Sequence, residues 1–455
     1  MCGCRRSYAV MSPQHLEPGN FKPKRVLILT KLSRYEFEKR RHPELTERQL
    51  EKCLTARGSD YNILLYHHYI HKGVENTVNS VFTAAGIETK TVYRFDYTES
   101  NIQWADAVVT TGGDGTYLLA ASKILDRNKP LIGFNSDPTR SKGQLCLPQK
   151  YSVEVKEAVE KLLKGKFRWT FRSRIRVTLI GDDIFKPPVE LHDQQLRYHE
   201  YRYFLPHACA IRESIPPCSE TGMARRVLPF LALNEVFIGE CVSARVSYME
   251  LSFDDVKGIK QKCSGLIAST GTGSTSWTYN VNKLTEQNME EILTIVKEET
   301  GFKIQDTDQL FVRKITEKFN QMLITDPGTK LLYFKFSICQ TGWTQGRCQG
   351  NTFNTSCDYI NHEHKALGVL SVPKMVYTIR DQLVTSPMRN ECVKPRGFAK
   401  SIGVKSRCFD ASLVIDGGLS FTFNDGTRAL LEIYDQDALR TVTLHGDSME
   451  VAFKH

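Results

Sequence analysis

The feature that most constrains the fold is a β-branched apolar run that leads directly into a glycine-rich turn. The run covers residues 105–111, and the turn reads Gly112-Gly113-Asp114-Gly115-Thr116. Apolar residues at near-helical spacing follow in 117–125, which predicts a strand, a loop and a helix. The amide groups at the start of such a helix are available to bind phosphate. The turn alone fits two interpretations equally: a phosphate site with Asp114 as its carboxylate, or a βα turn in which Asp114 caps the helix.

Strands and helices alternate along the first third of the chain. Apolar runs predict strands at 25–30, 89–94, 105–111 and 130–134. Between them, Thr46 and Gln49 form a capping-box pattern for a helix through Leu54, and a helix over 74–85 is expected to end at Gly86. Such alternation predicts a mainly parallel sheet, whose ligands bind at the carboxyl ends of its strands. We therefore predict an α/β nucleotide-binding domain over residues 23–165, with the glycine-rich turn at one strand end.

From about residue 165 the hydrophobic pattern changes to alternation of apolar and polar residues. This period of two appears in 172–179 and again in 244–253, and it is typical of strands. Further strands are predicted at 230–238, 413–415, 419–423 and 429–434, with Asn424-Asp425-Gly426 as a hairpin turn. Residues 166–455 are therefore predicted to form a β-rich domain, with insertions near 186–226, 285–323 and 339–376.

Two polar clusters interrupt the apolar strands of this second part. The pair Asn234-Glu235 places an amide beside a carboxylate, which suits recognition of a ribose or a base edge. The alternative is a strand end whose polar pair faces solvent. The second cluster is the glycine- and hydroxyl-rich segment 264–277, which suits close contact with a polar ligand. The alternative there is a flexible loop.

Charge and composition fit a globular protein that binds anions. The 455 residues are 41% hydrophobic and carry a formal net charge of +10, which suits nucleotide phosphates and nucleic acid equally. No arginine-rich tract or aromatic ribonucleoprotein signature supports nucleic acid, so we predict no nucleic-acid partner. No run of 18 apolar residues is present, so we predict no membrane span.

Cysteine and histidine usage does not predict a metal site. Thirteen cysteines without a C-x-x-C pair predict reduced thiols. His67, His68 and His71 offer an i, i+4 imidazole pair without a third ligand nearby, so we interpret them as structural. Residues 1–22 are basic and have no acid before Glu17, which predicts a short transit segment or a disordered tail.

Four motifs in order resemble the NAD kinase family, in particular its mitochondrial branch. They are the Gly112–Thr116 turn, Asn234-Glu235, the Thr270–Thr275 segment TGTGST, and Asp416-Gly417-Gly418. The first motif also occurs in lipid kinases and phosphofructokinases, whereas the combination is specific. The resemblance covers most of residues 24–444 outside the insertions. It implies an α/β domain followed by a β-sandwich domain, with NAD between them.

The same resemblance implies a reaction and a set of site residues. The γ-phosphate of ATP would pass to the 2′-hydroxyl of the adenosine ribose of NAD, giving NADP and ADP. Asp114 would be the catalytic residue, and the ATP phosphates would be bound by Gly112, Gly113, Gly115 and Thr116. The contacts to NAD would come from Asn234, Glu235, Thr272, Thr275, Ser276 and Trp277. The resemblance also implies Mg²⁺ or another divalent cation arriving with ATP, a homodimer, and a mitochondrial location, with the cytoplasm as the alternative.

The sequence departs from the family pattern at three positions. Ser264 stands where Asp is usual, Gly271 replaces a Pro, and Trp277 replaces a Tyr. The mitochondrial branch is similar at these positions, so we interpret them as a subfamily signature. Two alternatives to an NAD kinase remain: a lipid kinase that shares the GGDG loop, and a non-catalytic NAD-binding regulatory protein.

Overall fold

The computed structural model describes residues 20–182, 184–197, 224–254, 256–301, 309–323, 374–383 and 394–444. The chain divides into two compact units. The larger unit contains Leu16–Gly273 and Lys374–His455, and the smaller contains Met1–His15 and Ser274–Pro373.

The larger unit begins with a four-stranded parallel sheet. Its strands are β1 (Arg25–Thr30), β2 (Glu88–Val92), β3 (Ala107–Thr111) and β4 (Leu131–Phe134), in the order β2-β1-β3-β4. The four predicted strands and the parallel sheet are confirmed, with bounds that differ by at most two residues. The strand order reverses between β1 and β3, where Thr30 pairs with Thr111. Open α/β sheets bind their ligands at the carboxyl ends of the strands beside such a reversal.

Six helices accompany this sheet: α1 (Arg34–Arg41), α2 (Glu47–Ala56), α3 (Tyr61–Ala84), α4 (Glu99–Trp104), α5 (Asp114–Lys123) and α6 (Val155–Leu163). Helix α2 begins after Thr46, whose backbone N–H donates to Gln49 Oε1 at 2.9 Å as the capping-box pattern predicts. Helix α3 is twice as long as the prediction because Asp60 caps its start, accepting from the Ile63 amide at 3.0 Å. It ends as predicted just before Gly86, which has a φ of +77°.

The apolar strands are buried on both faces, as expected of a parallel sheet. Alternate residues of β1 point to opposite sides. Val26 and Ile28 pack with α3 and α6, whereas Leu27 and Leu29 pack with α4 and α5. Helix α5, which follows the glycine-rich turn, is therefore fixed against one face of the sheet.

The rest of the larger unit contains two packed antiparallel sheets. The six-stranded sheet has the order β11-β10-β15-β18-β6-β8 and contains β6 (Ile175–Ile180), β8 (Arg225–Ala232), β10 (Ser247–Phe253), β11 (Val256–Cys263), β15 (Ser401–Ser406) and β18 (Arg428–Ile433). The seven-stranded sheet has the order β14-β13-β12-β9-β16-β17-β7 and contains β7 (Val189–Glu190), β9 (Glu235–Glu240), β12 (Gly265–Ser269), β13 (Met375–Arg380), β14 (Arg396–Ala399), β16 (Ala411–Ile415) and β17 (Leu419–Thr422). Side chains from both sheets form one buried core, so the β-sandwich is confirmed.

Two predicted strands are each divided into two by a buried polar residue. The expected strand 172–179 is β5 (Phe167–Arg172) followed by β6, with a break where the side chain of Arg174 turns inward. The expected strand 230–238 is β8 followed by β9, with a break at Leu233 and Asn234. In both places the alternation of residues is compatible with a continuous strand. The first strand is interrupted where the Arg174 side chain makes long-range contacts, and the second where the backbone of Leu233 and Asn234 does.

The Asn424-Asp425-Gly426 turn forms, but it does not connect a hairpin. The Thr427 N–H donates to Asn424 O at 3.0 Å, and Gly426 has a φ of +89°. The flanking strands β17 and β18 lie in different sheets. The hairpin prediction is therefore wrong, and the turn passes the chain from one sheet of the sandwich to the other.

The last described residues return to the α/β part. Strand β19 (Leu439–Leu444) pairs antiparallel with β5, and Phe167, Val442 and Leu444 belong to the core that contains α3 and α6. The domain limit at residue 165 stays a prediction, since both strands lie beyond it in sequence and pack on the α/β part.

The structure describes parts of the three predicted insertions. In 186–226, β7 pairs with β17 and leads into α7 (Leu191–Arg197), while residues 198–223 lie outside the described residues. Of 339–376, residues 374–376 are described, and Met375 and Val376 belong to β13. Residues 1–19 of the predicted transit segment also lie outside the described part.

The described part of the smaller unit contains α8 (Trp277–Asn282), α9 (Glu286–Thr300) and α10 (Gln309–Met322), so the described residues of the predicted insertion 285–323 are mainly helical. Asn320 joins α10 to the start of α9, because its side chain accepts from the Leu284 amide at 2.9 Å and donates to Leu284 O at 3.0 Å. Among the described helices of both units, none is long and apolar enough to cross a membrane.

Arg174 links α5 to the strands that follow it. Its guanidinium is fully buried, with Nη1 donating to Ala121 O at 2.8 Å and to Ile124 O at 2.6 Å, and Nε donating to Asp437 O at 2.6 Å. Burial lowers the pKa of Arg174 to about 10, which still leaves it charged at neutral pH. The positive charge lies at the carboxyl end of α5, where the helix dipole favours a cation.

We expect Arg174→Met to lower the free energy of unfolding by about 3 kcal/mol or more, because three buried carbonyl groups lose their donor. Arg168→Met is the matched control. Arg168 is exposed on β5, so its replacement should change stability by less than about 0.5 kcal/mol. Urea denaturation measures both variants, and equal losses would contradict the role of Arg174.

Candidate active site

The glycine-rich turn is shorter than predicted, because α5 begins at Asp114 with Gly113 as its N-cap. A Cβ atom on Gly112 would collide with the Thr116 side chain, and one on Gly113 would lie 2.6 Å from Ser141 Oγ. A Cβ on Gly115 would meet no atom within 4 Å. The packing of the chain therefore requires the first two glycines, whereas Gly115 faces open space.

The Asp114 carboxylate contacts a neighbouring loop and not the end of its own helix. Oδ1 accepts from the Leu145 amide at 2.8 Å, and Oδ2 accepts from the Gln144 amide at 3.1 Å. Asp114 is the first residue of α5 and is not its N-cap, so the interpretation of Asp114 as a simple helix cap is wrong. The two bonds hold this loop against the glycine-rich turn.

A cleft of about 310 Å³ lies at the carboxyl end of β1, between the α/β part and the sandwich. One wall contains Gly113, Gly115 and Thr116, and the opposite wall contains Asp416 and Gly418. The charged residues that line it are Lys31, Arg94, Glu190 and Asp416. The cleft therefore brings the first and fourth sequence motifs together.

Sequence reasoning did not identify Lys31, which follows β1 directly. Its Nζ lies 3.8 Å from Asp137 Oδ2, and burial lowers the pKa of the ammonium group. The position itself was the available signal, since a charged residue immediately after a buried parallel strand lies at the ligand-binding edge of the sheet. Arg94 and Glu190 carry no comparable signal, because neither follows a recognisable motif.

Asn234 and Glu235 form a buried turn between β8 and β9. Their side chains are 6% and 9% exposed, so the alternative in which this pair faces solvent is wrong. Within the described residues, Asn234 Oδ1 and Glu235 Oε2 are buried without a hydrogen-bond partner. Buried polar atoms are normally paired in native proteins. These two unpaired oxygens are therefore candidate contacts for a ligand.

The carboxyl groups of Glu235 and Asp416 influence each other. Burial, followed by the nearby charge of Asp416, raises the pKa of Glu235 to about 8. Burial also raises the pKa of Asp416 to about 6, against the hydrogen bonds that it accepts from backbone amides. Near neutral pH, Glu235 is mostly protonated and Asp416 is mostly ionised.

The segment after β12 is fixed against the Asn234 turn. The Thr270 amide donates to Asn234 O at 2.9 Å, and Thr270 Oγ1 donates to Leu233 O at 2.5 Å and accepts from the Gly273 amide at 3.1 Å. A Cβ on Gly273 would collide with the Asn234 backbone. The flexible-loop alternative is therefore wrong. Thr272 lies half-buried within this ordered segment.

The remaining predicted contacts lie in the smaller unit. Thr275 ends a short 3₁₀ turn and is exposed, Ser276 precedes α8 as its N-cap, and Trp277 begins α8. In the larger unit, Ser264 precedes β12, and its amide donates to Arg380 O at 2.9 Å. Since Thr270 follows the other end of β12, the departure at Ser264 lies away from the Thr270 segment.

The three histidines contact different protein groups, as expected of structural side chains. His71 is fully buried, bonds to Ser136 Oγ through Nδ1 at 2.9 Å, and has its pKa lowered to about 3 by burial. His67 Nδ1 lies 3.2 Å from Asp137 Oδ2, and His68 Nδ1 lies 2.8 Å from Ser33 Oγ. The five described cysteines are free thiols, in agreement with the prediction.

Comparison with known proteins identifies the family. No family model matches the chain. Human NAD kinase 2, mitochondrial, is 40% identical over 432 residues, which cover 94% of this chain and 85% of that protein. The Xenopus tropicalis protein of the same name is 38% identical over 443 residues, covering 93% and 91%. The chain belongs to the NAD kinase family. The resemblance drawn from the four motifs is thereby confirmed.

Two solved structures of NAD kinase family members are also similar. An NAD kinase from Archaeoglobus fulgidus in complex with ATP has a TM-score of 0.42 and 14% identity, covering 92% of this chain and 93% of that chain. The yeast NADH kinase complexed with NADH has a TM-score of 0.42 and 11% identity, covering 93% and 84%.

We expect Gly112→Ala and Gly115→Ala to differ in stability. The first substitution places a methyl group against Thr116, so it should lower the melting temperature. The second places a methyl group in open space near the start of a helix, where Ala is favoured over Gly, so the melting temperature should stay equal or rise. Thermal unfolding tests the pair, and an equal loss in both would show that packing requires Gly115.

We expect Glu235→Gln to stabilise the ligand-free protein at pH 8 more than at pH 5. An unfolded Glu releases its proton near pH 4.5, whereas the folded Glu235 keeps it up to about pH 8. Over that range the folded state binds the extra proton, so wild-type stability falls as pH rises, and Gln does not share this loss. Urea denaturation at both pH values measures the difference between the two proteins, and a difference independent of pH would contradict the protonated state of Glu235.

Proposed function

We propose that this chain catalyses the ATP-dependent phosphorylation of NAD at the 2′-hydroxyl of the adenosine ribose, giving NADP and ADP. The main support for this proposal is the 40% identity with human NAD kinase 2, mitochondrial, over 94% of this chain. The cleft at the carboxyl end of the parallel sheet supports it, since it joins a helix amino terminus, glycines and charged residues.

Gly113, Gly115 and Thr116 are proposed to bind the phosphates of ATP. Gly112 is proposed to shape the turn, because only glycine fits against the Thr116 side chain there. Phosphates bind readily at the start of a helix, where backbone amides lack an intrahelical acceptor. Lys31 in the same cleft adds positive charge. ATP enters as its complex with Mg²⁺ or another divalent cation, whose oxygen ligands come largely from the phosphates.

Asn234 and Glu235 are proposed to bind the NAD ribose. A protonated Glu235 donates a hydrogen bond and Asn234 Oδ1 accepts one, so a sugar hydroxyl can satisfy both buried oxygens. Further contacts to NAD are proposed from Thr272, Thr275, Ser276 and Trp277.

Asp114 is proposed as the general base. A sugar hydroxyl is a weak nucleophile, so phosphoryl transfer requires alignment and a group that accepts the proton. Each Asp114 oxygen accepts one backbone amide and retains a lone pair, while the two bonds fix the orientation of the carboxylate.

The decisive experiment is NADP formation by the purified full chain with NAD, ATP and Mg²⁺. We expect turnover that requires ATP. A parallel assay with diacylglycerol tests the lipid kinase alternative, and NAD binding without turnover would favour the regulatory alternative. In the same assay, Gly115→Ala should raise the KM for ATP and leave the KM for NAD nearly unchanged, because its methyl group projects where the phosphates are proposed to lie.

A homodimer and a mitochondrial location are further proposals. The location is supported by relatives of 38–40% identity that are named as mitochondrial. Light scattering of the purified protein tests the dimer, and a monomer at micromolar concentration would refute it. Imaging of the full chain with a C-terminal tag tests the location, and diffuse cytosolic signal would refute it.

We expect Asp114→Asn to lower kcat by about 10²-fold or more, with a much smaller change in NAD affinity, because Asn cannot accept the proton. Asn also turns an NH₂ group toward one of the two amides, so a modest loss of melting temperature is expected. Asp106→Asn is the control for loss of a carboxylate away from the glycine-rich turn, since Asp106 Oδ2 also accepts two backbone amides, from Lys24 and Arg25. If Asp114→Asn retains more than about a tenth of wild-type kcat, Asp114 is not the base.

A further inference from the structure

The fourth motif, Asp416-Gly417-Gly418, lines the cleft but has no part in the reaction proposed so far. Asp416 follows β16 and has a φ of +48°, in the left-handed region that non-glycine residues seldom adopt. Its side chain accepts three backbone hydrogen bonds in the larger unit. Oδ2 accepts from the Leu233 amide at 2.8 Å, and Oδ1 accepts from the Asn234 amide at 2.8 Å and the Glu235 amide at 3.0 Å.

The carbonyl groups of the Leu233–Asn234 turn are bonded by the last residue of β12 and by the segment after it. Thr270 bonds to Leu233 O through its hydroxyl and to Asn234 O through its amide, and Ser269 Oγ donates to Asn234 O at 3.2 Å. Asp416 and this segment therefore hold the Leu233–Asn234 turn from opposite sides. The backbone that is fixed in this way carries the side chains of Asn234 and Glu235. Each of these side chains has one buried oxygen without a hydrogen-bond partner within the described residues.

We propose that Asp416 is a positioning residue that fixes the Asn234-Glu235 turn in the geometry that binds the NAD ribose, a role that rests on the proposed function. A carboxylate suits three donors, because its two oxygens offer about four acceptor sites and no competing donor. Asp also tolerates the left-handed backbone better than most residues. Because Asp416 lines the cleft, the same side chain links the nucleotide cleft to the turn.

The structure provides a matched control. Asp254 also has a left-handed backbone, with a φ of +51°, and its Oδ1 accepts from the amides of Lys400 at 2.7 Å and Ser401 at 2.9 Å. It lies between β10 and β11 and does not line the cleft. Asp416→Asn and Asp254→Asn therefore each remove a carboxylate charge that faces backbone amides at a left-handed residue, at the site and away from it. Asp254 uses a single oxygen, so Asn can keep both of its bonds, whereas Asp416 uses both oxygens and loses at least one bond.

The experiment measures NAD and ATP affinities separately in the full chain by calorimetry, with the melting temperature of each variant. We expect Asp416→Asn to lower the melting temperature, because its NH₂ group faces a backbone donor whichever way the amide is turned. Asp254→Asn should lower it less, because the Asn oxygen can accept from both amides. Only Asp416→Asn should weaken NAD binding, by about tenfold or more, as when one hydrogen bond to a buried group is lost. ATP affinity should be unchanged or higher, since a negative charge leaves the cleft.

NAD affinity of Asp416→Asn within about twofold of that of Asp254→Asn would overturn the proposal. If Asp416→Asn does not fold, Asp416→Ser decides, because a hydroxyl has fewer acceptor sites than a carboxylate for the three amides and brings no NH₂ group against them. We then expect NAD affinity to fall severalfold with ATP affinity unchanged or higher, and unchanged NAD affinity would overturn the proposal. Because binding is measured without turnover, wild-type protein that binds NAD but forms no NADP would refute the kinase activity and leave the test of Asp416 intact.

Discussion

The buried guanidinium of Arg174 joins the α/β part to the sandwich, since Arg174 directly precedes β6 and bonds to the end of α5. It bonds to carbonyl groups at the end of α5 and to the backbone just before β19, 263 residues away in sequence. Tyr117 adds a second connection, with its hydroxyl donating to Thr441 Oγ1 at 3.1 Å. Helix α5 is thus held near both ends, and the glycine-rich turn at its start has a fixed direction. The cleft exists because this turn is held opposite the Asp416 turn of the sandwich.

The glycines of the site differ in whether protein contacts require them, and its carboxyl groups differ in whether backbone amides pair with them. Gly112 and Gly273 are required by contacts within the protein, whereas Gly115 leaves room that the protein itself does not use. Asp114 and Asp416 both bind backbone amides, so each shapes the site as well as contributing charge to it. Glu235, by contrast, is buried with an unpaired oxygen, an arrangement that costs stability and is expected where a ligand completes the bonding.

The sequence predicted those features that depend on local pattern. Strands β1 and β3 follow from their apolar runs, and the start of α2 follows from Thr46 and Gln49. Residues whose partners are distant in sequence were not predictable in the same way. Arg174 looks like an ordinary polar position of an alternating strand, and the break before β9 depends on Asp416, 182 residues beyond Asn234. The first and fourth motifs marked where the cleft lies, but no local pattern shows that Asp416 bonds to the backbone of the Asn234 turn.

The pairing of β5 with β19 affects how the chain can fold as it is made. Arg168 pairs with Thr443, so β5 can pair only after the ribosome has made the chain through β19. Until then Phe167 and the neighbouring apolar face of the parallel sheet lack the cover that Val442 and Leu444 provide. Such long-range pairing slows folding and prolongs exposure of apolar surface. This core is therefore complete only after the chain has been made through β19, and a ribosome that stops before residue 439 releases a product that lacks the cover.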